Sequence, residues 1–116
     1  MARRISDVMG RLYAEYHTLN DRHFAALLPP VHIIVRRIPA EHDLMLCWTD
    51  PNGHPRGIIV DDRYATKMTN PWAAIRETLL HEMIHVWQAV RGEPVNHGPS
   101  FRRMARRVGI STRAVD

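Results

Sequence analysis

The chain has 116 residues, the length of one domain, and 45% hydrophobic residues, enough for a modest core. No apolar run approaches the ~20 residues of a membrane span. No apolar leader follows the basic start Met1-Ala2-Arg3-Arg4-Ile5, and the single cysteine, Cys47, excludes an internal disulfide. Net charge is +4, and every basic residue except Lys67 is Arg, which suits phosphate contact and equally fits a high-GC coding bias. The expectation is a single intracellular, cytoplasmic domain with no membrane association.

Residues 6–19 carry Val8, Met9, Leu12, Tyr13, Tyr16 and Leu19 at helical spacing, with Ser6 placed to cap. Asn20-Asp21 predicts a break, Phe24, Leu27 and Leu28 continue an apolar face, and Pro29-Pro30 stops any helix. Residues 31–38 are β-branched and predict a strand, and residues 44–48 predict a second. Within the second, the apolar flanks of Cys47 mark it as an ordinary buried thiol. Asp50-Pro51-Asn52-Gly53 is turn chemistry, and residues 57–60 predict a third strand antiparallel to the second. Residues 61–68 read as a short strand or loop.

Asn70-Pro71 opens the main helix, predicted over 71–90, with Gly92 just beyond its end. Leu79, Leu80, Met83, Ile84, Val86, Trp87 and Val90 cover most of its circumference, which marks a central, buried helix. Buried within it is His81-Glu82-Met83-Ile84-His85, the pattern H-E-x-x-H. Residues four apart lie above one another on a helix, so His81 and His85 can offer two imidazole nitrogens to one metal ion. Glu82 stands beside them, able to handle a water. This is the arrangement of a zinc-dependent hydrolase.

A catalytic zinc ordinarily takes three protein ligands and leaves a position for water. A tight continuation with Gly three residues and His six residues after the second His is ruled out, because Gln88 and Arg91 stand there. Glu93 sits in the turn that ends the helix, too close to swing back. His97 is the better third ligand: it follows the turn at 92–96, where the chain has reversed. Gly98 permits close backbone approach, Pro99 starts a last helix over 99–108, Phe101 anchors it, and Gly109 ends it. The other histidines (His17, His23, His32, His42 and His54) lack ligand spacing.

H-E-M-I-H followed by His97-Gly98-Pro99-Ser100-Phe101 resembles the SprT-like family of zinc metalloproteases, of the Spartan-type protease core. Leu19-Asn20 with Phe24 and Leu28, the strand at 31–38 and Glu77-Thr78-Leu79-Leu80 match its layout, so the resemblance covers about residues 10–110. It implies one catalytic Zn²⁺ held by His81, His85 and His97, with Glu82 as catalytic base. It also implies an α+β, minimal zincin fold: an N-terminal helix, a small antiparallel sheet of about three strands, then two motif-bearing helices. The expected organisation is one metalloprotease domain over 1–116, without a zinc ribbon or tail modules.

The expected activity is that of a metalloendopeptidase hydrolysing peptide bonds with a metal-activated water. A substrate backbone would pair with a sheet edge in the 44–60 region. Tyr64 or an Arg is the guess for a second oxyanion donor. Arg102, Arg103, Arg106 and Arg107 form like-charged pairs on the helix after His97 and would hold DNA beside the site. The expected partners are a protein or peptide substrate and DNA, with the chain a monomer. Two alternatives lack proteolysis: a zinc-stabilised regulatory module, and a DNA-binding regulator. In the latter, residues 105–111 resemble the turn of a helix-turn-helix, but residues 112–116 are too short for a recognition helix.

Overall fold

The first helix, α1, spans Ile5–His23 and buries Val8, Leu12, Tyr16 and Leu19, the stripe its spacing dictates. The structure is a computed structural model and describes residues 2–39 and 44–111. Ser6 does not cap α1. The N-cap is Arg4, with no side-chain bond, because the chain before the helix is tied elsewhere. Ala2 bridges to Lys67, and the Arg3 guanidinium donates to the carbonyls of Lys67 (2.6 Å) and Asn70 (2.7 Å).

The break expected at Asn20-Asp21 is absent too. Asn20 stays helical and turns its amide onto the returning chain, donating to Leu28 O and accepting from Leu28 N–H, both at 3.0 Å. Buried polar groups need such partners.

Three strands follow: β1 (His32–Arg36), β2 (Met45–Thr49) and β3 (Pro55–Asp61). The expected β2–β3 antiparallel hairpin forms, with an irregularity at Trp48/Thr49. The fold is α+β as expected, but the sheet is mixed rather than wholly antiparallel. Its order is β1-β3-β2, and β1 pairs parallel with β3. Consecutive strands still alternate in direction; β3 inserts between its two predecessors. It is the strand to centre, since Gly57, Ile58, Val60 and Asp61 are buried in it, whereas β1 buries only Ile33.

Residues 61–68, expected as strand or loop, contain a short helix, α2 (Asp62–Thr66). Asp61 caps it, its carboxylate accepting from Arg63 N–H at 2.9 Å and Tyr64 N–H at 3.4 Å. The same carboxylate accepts from Ile38 N–H at 2.9 Å and from the Arg63 guanidinium at 3.0 Å.

The main helix, α3 (Trp72–Val90), starts one residue later than predicted. Pro71 is the N-cap, because the Asn70 amide is drawn back to donate to Tyr64 O at 2.8 Å. Helix α3 is the central element: Ile75, Leu79, Met83, Ile84 and Val86 are fully buried among residues of α1, the sheet and α4 (Pro99–Val108). Among the described residues, no helix is long and apolar enough to cross a membrane.

Candidate metal centre

His81 and His85 stand one turn apart on α3, and the chain must reverse to bring a third ligand to them. A glycine-ended turn does this. Gly92 adopts φ +70°, its N–H donates to Ala89 O, and Glu93 N–H donates to Gln88 O, each at 3.0 Å. The returning segment enters α4 through Gly98 and Pro99. Asn96 Oδ1 accepts from Gly98 N–H at 2.9 Å and closes a tight turn around His97.

The result is convergence. Nε2 of His97 lies 3.2 Å from Nε2 of His81 and 3.1 Å from Nε2 of His85. One ligand atom from each of the three lies within 4.8 Å of the others, the one such metal-capable group among the described residues. Nitrogens at 2.0–2.1 Å from a tetrahedral ion sit about 3.3 Å apart. The two short separations match that edge, so the donor set and spacing fit a metal ion. Phe101, fully buried, packs under all three rings, with centroids 4.7 Å from His81, 5.1 Å from His85 and 4.9 Å from His97.

Glu82 is buried at the same place. Its Oε1 accepts from Cys47 N–H of β2 at 2.9 Å, and its Oε2 lies 3.8 Å from His81 Nε2. Strand β2 therefore holds the carboxylate beside the histidines. The Cys47 thiol is half-buried, and burial, with the charge of Glu82 secondary, pushes its pKa up to about 12. It stays protonated at neutral pH, as an inert thiol does.

Beside His81 and Glu82 opens a cleft of about 340 Å³, walled mainly by Met45, Tyr64, Thr78 and Ile110. Tyr64 lies in it with its hydroxyl 3.0 Å from Thr78 Oγ1.

One residue of this centre escaped the sequence reading. Gln88, one turn beyond His85, is fully buried, and its Oε1 lies 2.9 Å from His85 Nδ1. An amide in so apolar a helix was the available signal, since it must find partners when buried. Glu93 stands outside the group of three histidines and pairs with Arg91. Arg102, Arg103, Arg106 and Arg107 are all exposed on α4, and Arg102 Nη1 donates to His97 O at 3.3 Å. His17 and His54 face Asp21 and Asp50, each at 3.4 Å. His42 and the proposed recognition segment 112–116 lie outside the described residues.

Comparison with known families adds one finding: the model of the SprT-like family matches residues 12–115. The chain belongs to the SprT-like family. No curated protein and no solved structure matches it. Membership suggests a metalloprotease-type domain. In this SprT-like chain the three histidines that could hold a metal come from two elements, α3 and the segment entering α4.

Proposed function

We propose that this chain is a zinc-dependent endopeptidase, with His81, His85 and His97 as metal ligands and Glu82 as the catalytic base. The observation that carries this reading is the meeting of three imidazole nitrogens beside a buried carboxylate at the mouth of a cleft. A zinc ion held there supplies Lewis acidity, for polarising a carbonyl and acidifying water. Glu82 takes a proton from the attacking water and returns it to the departing amine. The backbone N–H of Cys47 holds Glu82 in place for both transfers. Strand β2 is an edge strand of the sheet, and an extended substrate pairs along it while one side chain enters the largely apolar cleft.

The test is Glu82→Gln. The variant should hold zinc at wild-type stoichiometry and cleave an unfolded protein substrate on the order of 10²–10⁴-fold more slowly. Undiminished cleavage would reject the mechanism. If the wild-type protein binds zinc tightly and cleaves nothing, the chain is a zinc-stabilised regulatory module instead.

A second property is favoured by a specific observation. The exposed arginines of α4 begin five residues after His97, on the helix its segment enters. We propose that they contact DNA phosphates, so that the substrates are DNA-associated proteins.

A further inference from the structure

We propose that Gln88 is the positioning residue of this centre, fixing the tautomer of His85 and the segment that carries His97. This rests on the metal-site reading above. A primary amide has two donor hydrogens and two acceptor positions, and all four are engaged. Nε2 donates to Asn96 O and to Ser100 Oγ, each at 3.0 Å. Oε1 accepts from Asn96 N–H at 3.3 Å and faces His85 Nδ1 at 2.9 Å.

The amide has no freedom to flip. A backbone carbonyl only accepts and a backbone N–H only donates, so the two bonds to Asn96 assign nitrogen and oxygen independently. An oxygen facing Nδ1 requires a proton on Nδ1. A neutral imidazole carries one N–H, so Nε2 of His85 keeps its lone pair, and Nε2 is the atom 3.1 Å from His97 Nε2. The ligand is thus set in its metal-binding form by a neighbour that touches no metal.

The same side chain grips the backbone at Asn96, directly before His97, and the hydroxyl of Ser100, in the first turn of α4. One amide therefore brackets the third ligand and orients the second. Complete burial of Gln88 keeps water from substituting for it.

The experiment uses the full-length, zinc-loaded protein. Long-range ¹H–¹⁵N spectra should show the His85 proton on Nδ1, protected from exchange. A proton on Nε2 would overturn the proposal. Gln88→Met keeps the length and removes every bond; its zinc dissociation constant should rise about 10–100-fold, and the visible bands of its Co²⁺ form should shift. Gln88→Glu keeps the acceptor for His85 but sets an oxygen against Asn96 O, and should fall between wild type and Gln88→Met. Zinc affinity and Co²⁺ bands unchanged in both variants would overturn the proposal. Should Gln88→Met fail to fold, Gln88→Glu and the wild-type tautomer decide. His85→Ala and His97→Ala separate the two readings. If they bind zinc as wild type does, the metal site itself is wrong and this inference falls with it. If they lose zinc while the Gln88 variants keep it, only the role of Gln88 is rejected.

Discussion

Two buried carboxylates, Asp61 and Glu82, show how surroundings divide labour at the residue scale. Asp61 is enclosed by donors. The Arg63 guanidinium, with the backbone N–H groups of Ile38, Arg63 and Tyr64, outweighs burial and lowers its pKa from 3.8 to about 2. Because folding depresses this pKa, the stabilisation is complete above about pH 4 and is lost as pH falls through about 2. It amounts to at most about 2.5 kcal/mol. Urea unfolding between those pH values should therefore show wild type losing stability more steeply than Asp61→Asn. Equal slopes would remove Asp61 from the acid response. Glu82, by contrast, lies at the cleft with a β2 amide on one oxygen. The H-E-x-x-H spacing made its place legible in advance, because helix geometry alone puts it next to His81. Gln88 was not legible in the same way: its partners at Asn96 and Ser100 exist only after the chain has folded back.

At the scale of elements, the helices that carry the ligands were readable to within a residue. Apolar periodicity, Pro71, Gly92, Pro99 and Gly109 punctuate them in the sequence. Expectation and structure part where a side chain bonds to distant backbone. Asn20 holds Leu28 instead of breaking α1, and Asp61 caps a helix where strand or loop was expected. Gly57 lies in the strand expected there, at a position set by close approach. A Cβ there would lie 2.0 Å from the Trp48 ring and 2.6 Å from His32 O, the neighbours on either side of β3. Gly57→Ala should cost about 2–3 kcal/mol by forcing both neighbours apart, seen as a lower midpoint in denaturant. A cost below about 0.5 kcal/mol, typical of a tolerant surface site, would show that the Trp48 ring swings aside freely.

Across the whole molecule, the exposed arginines of α4 are the charge that follows the site in the chain. The arginines lie along α4, the helix that the His97 segment enters, and Arg102 donates to His97 O. Replacing Arg103, Arg106 and Arg107 with Ala should weaken binding to duplex DNA uniformly across sequences. It should also make log affinity fall less steeply with log salt, by about one unit of slope for every phosphate these arginines neutralise. Arg102 is left intact because it donates to His97 O. An unchanged slope would separate DNA from this surface. The sheet order is the global feature the sequence concealed, since alternating strand directions are compatible with either arrangement.

That order has a consequence for how the chain is made. His32 finds its ladder partner only at Gly57, and β2 lies beyond β3 on the far side. As the polypeptide leaves the ribosome, β1 emerges first and waits, its edge unmatched, until the third strand arrives to be gripped from both flanks. Nascent chains halted before Pro55 would thus expose two orphan strands at once, and such intermediates are natural clients for chaperones.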